Sequence, residues 1–222
     1  MNSLHITIAV VLPLHVISQV AFYKDPDCTG PGFVYSSSAA ELPTDLKNSL
    51  SSFLMAENAV LGFYQFESFN GKHSGESYVY NCRTSNATKC TNLGILERKV
   101  LSIRIIQHTL LDELMMFTKE NFGGTSEKVG ANSGKISAVK NQIVSLVIFG
   151  ASAWTLCEHA KCSNSGRVYC IFPSSGKYYW PTVFTNLFKE IPYDFRVQAV
   201  VLGCYWHELK KSPSNFWESS FY

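Results

Sequence analysis

Short apolar runs, separated by polar or glycine- and proline-containing breaks, fill this chain, and few of them keep a helical period. The stretch 113–129, ELMMFTKENFGGTSEKV, sets the pattern. Leu114 to Phe117 are apolar, Lys119 to Asn121 are polar, and Phe122 precedes two glycines, which predicts a strand, a folded hairpin and a second strand. Phe117 and Phe122 bracket the reversal, so one ring can stack on the other across the turn while Gly124 takes a position with no room for a Cβ.

The same spacing recurs at Tyr23, Cys28 and Gly30, and again at Tyr64, Phe69 and Gly71. A degenerate fourth copy holds Cys157 and Cys162, with its glycine displaced to Gly166. The anchors at 23, 64, 117 and 157 stand 41, 53 and 40 residues apart, so the chain reads as two copies of a paired motif. A serine before three of the closing strands agrees: Ser51 follows Tyr23 by 28 residues, Ser145 follows Phe117 by 28, and Ser102 stands in the same place in the second copy.

The expected strands are 20–24, 32–35 and 51–55 in the first motif, and 60–66, 76–81 and 100–106 in the second. The third motif closes with NQIVSLVIF, and the fourth is built on AWTLCE, RVYCIF and VQAVVLG. The connector HTLLD, without Gly or Pro, is short enough to hold two domains in contact. The expected division is a leader at 1–18, a first domain at 19–108, a second at 112–204 and a tail at 205–222. The tail lies outside the repeat, and three roles stay open for it: covering an apolar patch, pairing through Cys204, or remaining loose.

Composition narrows the partners. A net charge of +2 with no long basic cluster gives no electrostatic footprint for nucleic acid. The apolar run 6–16 near the N-terminus is too short to span a bilayer and reads as a secretion signal cleaved after Ser18, which leaves no membrane span. Seven cysteines in a secreted β-rich chain favour bridges and leave one over. Cys82 and Cys90 flank a polar loop that a bridge would close, and this loop contains the glycosylation acceptor Asn86.

Two domains, each with two motifs of about forty residues that open on the aromatic hairpin and close on a serine-initiated strand, resemble the βγ-crystallin superfamily. The likeness runs from about residue 20 to 204, and FTKENFGG is its best motif. It implies an all-β protein of two βγ-crystallin-like domains, each a β-sandwich of two Greek-key motifs. By register with its sibling hairpins, the fourth motif places the sulfurs of Cys157 and Cys162 where two rings otherwise stack, so a disulfide is expected there. Cys28, facing Tyr23 in the first motif, is the candidate for the unpaired thiol, and the partners of Cys170 and Cys204 stay open.

Many members of that family bind calcium through an acidic or amide pair followed by a serine or threonine. Here the third motif offers Asn141, Gln142 and Ser145. The others place Lys47 and Asn48 before Ser51, Arg98 and Lys99 before Ser102, and Phe195 and Arg196 before Ala199. Cations in ligand positions repel the ion and no carboxylate stands in these positions, so the expectation is no cofactor, with weak calcium binding as the remaining variant. The serines are then expected to bond backbone in the partner motif.

No nucleophile elbow, HExxH, phosphate loop or zinc pair is present, and the His73–Ser74 neighbours fall in a hairpin turn, so an enzyme is not expected. The resulting reading is a secreted, non-enzymatic structural protein, with its physiological role, oligomeric state and any protein or matrix partner left open. The alternative is an extracellular binding module, such as an inhibitor, toxin component or lectin-like domain. It would present the aromatic loop 173–193, with Tyr178, Tyr179, Trp180, Phe184, Phe188 and Tyr193.

Overall fold

A computed structural model describes residues 19–55, 59–81, 89–107, 109, 111–131, 136–160, 162, 166–173 and 181–204. They form fourteen strands in four antiparallel sheets, with only single-turn helical pieces between them. No described helix is long and apolar enough to cross a membrane.

The first sheet has the order β2 (Gly32–Tyr35), β1 (Val20–Tyr23), β3 (Ser52–Met55), β6 (Thr91–Asn92). The second has β5 (Ser77–Asn81), β4 (Ala59–Tyr64), β7 (Ser102–Gln107). In the second half, β13 (Thr182–Phe184), β10 (Ser145–Phe149), β8 (Glu113–Phe117) and β9 (Ser126–Gly130) form one sheet. The last sheet is β12 (Val168–Ile171), β11 (Trp154–Cys157), β14 (Ala199–Leu202).

Each half is a sandwich because its motifs exchange strands. β6 lies within the second motif in sequence yet pairs with β3 of the first, Ser52 facing Asn92. Ala39 of the first motif in turn bridges Ile103 of β7. β13, from the fourth motif, pairs with β10 of the third. Crossing of this kind is what a Greek key requires, and it locks the two sheets of a domain over one core.

Alternation along the strands assigns the cores. Phe22, Phe53, Leu61, Phe63 and Ile103 face inward in the first domain, and Leu114, Met116, Leu146, Trp154, Leu156 and Val200 in the second. The residues between them on β4, β7, β8 and β10 face the other way. Val60, Ile106, Phe117, Phe122, Val147 and Phe149 meet as a third apolar cluster between the domains, which explains why β4 and β10 are buried on both faces.

Strand exchange also corrects the expected cysteine pairing. Cys90 is bonded to Cys28, not to Cys82, so Cys28 is not the unpaired thiol. The cause is β6: by crossing to β3 it brings residue 90 beside the first hairpin, where Asn92 Oδ1 also accepts from Asp27 N at 2.8 Å. Cys157 is bonded to Cys162, and Cys170 to Cys204. Cys82, Asn86, the leader 1–18 and the tail 205–222 lie outside the described residues.

Candidate functional site

The four hairpins are the most elaborately built polar features of the chain. Each leaves its first strand through a turn in left-handed backbone: Asp27 and Cys28, Ser68 and Phe69, Asn121 and Phe122 all have φ between 52° and 61°, and Cys162 has φ 48°. Non-glycine residues hold such angles only where their surroundings compensate the strain. A serine does so here. Ser145 Oγ accepts from Phe122 N at 3.0 Å and donates to Lys119 O at 2.6 Å. Ser102 does the same with Phe69 N and Phe66 O, and Ser52 with Cys28 N and Asp25 O.

Two sequence expectations change. The serine of the first motif is Ser52, which pairs with Tyr23, and not Ser51; Ser51 is one place earlier, and its hydroxyl donates to Glu97 at 3.2 Å. These hydroxyls also bond the hairpin of their own motif, not that of the partner. The glycine of the second hairpin is Gly75, not Gly71. Gln65 N bonds Glu76 O as Thr118 N bonds Thr125 O, so Gly75 corresponds to Gly124, and Gly71 is ordinary right-handed backbone at φ −59°. At Gly124 φ is +70°, and at Gly75 a Cβ would run into the ring of Phe66. Gly30 and the displaced Gly166 occupy the same place in their hairpins, beside Lys24–Pro31 and Glu158–Arg167 backbone bonds.

Ring contacts follow the spacing in two motifs. Phe117 and Phe122 lie 5.2 Å apart, and Tyr64 meets Phe69 edge-on at 5.7 Å. In the first motif Cys28 turns to Cys90 instead of packing as a ring substitute on Tyr23, and its Sγ approaches Phe53 O. The fourth motif has neither aromatic pair nor serine, because Ala199 faces Cys157 where Ser145 faces Phe117. The Cys157–Cys162 bond occupies the place of both.

Hairpins two and three face each other across the domain boundary. Tyr64 donates its hydroxyl to Asn121 O at 2.8 Å and Phe122 O at 2.9 Å, and Gly124 N donates to Phe69 O. Arg104, 4% exposed, lies over the rings of Phe69 at 3.8 Å and Phe117 at 5.0 Å and donates to Gly124 O at 2.6 Å. Burial holds its guanidinium below the usual range, with Tyr64 acting in the opposite direction. Burial raises the Tyr64 hydroxyl well above its ordinary value, an effect only partly offset by Arg104. Lys119 adds bonds to the carbonyls of Asn70 and His73, and Asn121 Nδ2 to Ser77 Oγ. No signal in the sequence marked Arg104 beyond a lone cation inside an apolar run.

The calcium-like positions are largely occupied by structural bonds. Asn48 and Arg98 have left-handed backbone, and their N–H groups donate to Val100 O and Leu50 O, an exchange related by the pseudo-twofold of the domain. Asn141 donates likewise to Val197 O, while Ser145 is engaged by its hairpin. Glu97, beside Ser51, is a carboxylate that the sequence reading passed over because it lies one place before Arg98. No group of three His, Cys, Asp or Glu that could hold a metal ion occurs among the described residues.

The aromatic loop divides. Phe184 and Phe188 pack against the second core, Tyr193 is 80% exposed, and Tyr178, Tyr179 and Trp180 lie outside the described residues.

No protein-family model and no curated protein sequence matches the chain. Among solved structures, Geodin, a βγ-crystallin from Geodia cydonium, aligns with 84% of this chain and 99% of its own at a TM-score of 0.59 and 14% identity. A βγ-crystallin from an archaeon aligns with 41% of this chain and 98% of its own, at a TM-score of 0.32 and 17% identity. Protein S complexed with calcium aligns over 84% and 99%, at 0.30 and 15%. The Geodin likeness establishes the fold.

Proposed function

From the premise that the chain carries the βγ-crystallin fold, we propose that it is a secreted, non-enzymatic structural protein whose two domains are each cross-linked within themselves. The observation that carries this reading is the bonding of six cysteines in three pairs. Bridges of this number persist in oxidising compartments and supply stability to domains that meet variable surroundings. The polar groups of the hairpins support the same reading. Tyr64, Arg104, Ser102 and Ser145 all direct donors at backbone carbonyls, which leaves these side chains engaged in holding the fold.

Intact-mass and peptide mapping of the protein secreted from a eukaryotic host tests this, with and without reduction and deglycosylation. A start near Gln19, a glycan on Asn86 and the three bridges are the expected result. An uncleaved, unglycosylated chain with free thiols overturns it.

A second reading, one calcium site, has a single observation in its favour: the Ser51 hydroxyl and Glu97 carboxylate meet where the two motifs of the first domain exchange backbone bonds. With one carboxylate and Arg98 next to it, the affinity would be on the order of 1 mM, as in extracellular modules. Calcium titration calorimetry of the protein and of Glu97→Gln decides this. Heat that disappears in Glu97→Gln favours the site, and no heat with the unaltered protein removes it.

A further inference from the structure

The domain pairing uses the outer faces of the second and third motif sheets and leaves those of the first and fourth. In the first, the outer face is open, with Val34 65% exposed. The fourth differs. On β11, β12 and β14 the outward positions are Thr155, Cys157, Val168, Cys170, Ala199 and Val201, since Trp154, Leu156, Ile171 and Val200 belong to the core on the other side. Cys157, Val168 and Ala199 form a separate apolar cluster, with Cys162 and Val201 beside it, and these three are at most 8% exposed. Outward side chains of a three-stranded sheet are shielded to that degree where a further layer lies on them.

The end of β14 points to what supplies that layer. Gly203, at φ +93°, turns the chain; its N–H donates to Ala153 O, and its carbonyl accepts from the outward Thr155 hydroxyl at 2.6 Å. The next residue, Cys204, is bonded to Cys170, itself on the outer face. The turn and the bridge together fix the last described residue, Cys204, against the outer face of its own sheet. The segment that follows, 205–222, carries Tyr205, Trp206, Phe216, Trp217, Phe221 and Tyr222, an aromatic content suited to a shallow apolar face.

We infer that residues 205–222 fold back over the outer face of the β12–β11–β14 sheet and cover it as the partner domain covers the second and third sheets. The Cys170–Cys204 bridge is the staple that starts this layer. The tail is thereby an intramolecular occupant of a surface that would otherwise be open to a second copy of the chain.

Hydrogen exchange of the full-length protein, read by mass spectrometry on peptides within 205–222, tests the inference. Protection of about tenfold or more over a free peptide is expected. Val201→Lys places a charge under the tail and should abolish that protection while near-ultraviolet dichroism of the core is retained. Should Val201→Lys not fold, the Cys170→Ser/Cys204→Ser pair replaces it, with the same expected loss of tail protection. Tail amides that exchange at free-peptide rates in the unaltered protein overturn the inference. So does tail protection that survives the variants, and so does a full-length protein that sediments as a dimer with the sheet face protected and the tail not.

Discussion

At the scale of single residues, stability rests on polar groups that satisfy strained or buried backbone. Tyr64 spans two carbonyls of the opposing domain, so Tyr64→Phe is expected to cost about 1–2 kcal/mol at pH 7, measured by denaturant unfolding. The pH dependence has a definite sign. Burial raises the folded-state pKa above the unfolded value near 10, so this contribution is fully present below about pH 10 and declines as pH rises beyond it. The unaltered protein should lose more stability between pH 9 and 11 than Tyr64→Phe. The two serines of the first and third motifs separate just as clearly. Ser145→Ala leaves the buried Phe122 N–H without its acceptor and should cost about 1–3 kcal/mol, whereas Ser51→Ala removes a buried hydroxyl that donates to the Glu97 carboxylate, orphans no backbone N–H and should cost less, about 0.5–1 kcal/mol. Both serines stood out from spacing, but only strand pairing separated Ser51 from Ser52, because a one-residue slip reverses which face a side chain occupies.

At the scale of elements, the hairpins are one design with interchangeable fastenings. An aromatic pair with serine closes the second and third, a serine with a bridge to Cys90, just before β6, closes the first, and a local bridge closes the fourth. The bridges differ in what they constrain. Cys28–Cys90 spans 62 residues and Cys157–Cys162 only 5. Loop-closure entropy then gives about 4 kcal/mol for the first and about 2 kcal/mol for the second. Cys28→Ala/Cys90→Ala should therefore lower the denaturant midpoint more than Cys157→Ala/Cys162→Ala. The hairpin spacing was legible in the chain, including Tyr64 and Phe69 of the second hairpin, but the glycine of that hairpin was not, since its turn is four residues longer and the nearer Gly71 lies at the spacing seen elsewhere. Backbone pairing across Gln65 and Glu76, which depends on where the chain returns, identifies Gly75 instead.

At the scale of the whole molecule, two cores are joined by a third apolar layer that the hairpins frame. Val147 is fully buried there and belongs to neither core. Val147→Asp places a carboxylate in that layer and should destabilise the domain contact by about 3 kcal/mol or more. Calorimetry should then resolve two unfolding transitions where the unaltered protein shows one, because the separate cores survive the substitution. The same layer explains Arg104. A guanidinium with no carboxylate among its described partners is tolerated between two rings and a carbonyl, and its planar group fits a gap that an ammonium would not.

The sequence by itself determined the strands, their grouping into four motifs and the resemblance to a two-domain Greek-key fold, because alternation, turn residues and spacing are local properties of the chain. It also placed Cys157 and Cys162 within reach, since five residues of hairpin connect them. Tertiary structure alone decided that Cys90 meets Cys28, that Gly75 and Ser52 hold the hairpin positions, and that Arg104 and Tyr64 lie against the third motif. Apart from Gly75, which the return of its own hairpin decides, each of these depends on a strand or domain meeting a partner farther along the chain, and the pairing of distant segments is set by the closure of the sheets and the burial of their outer faces, which no local pattern encodes.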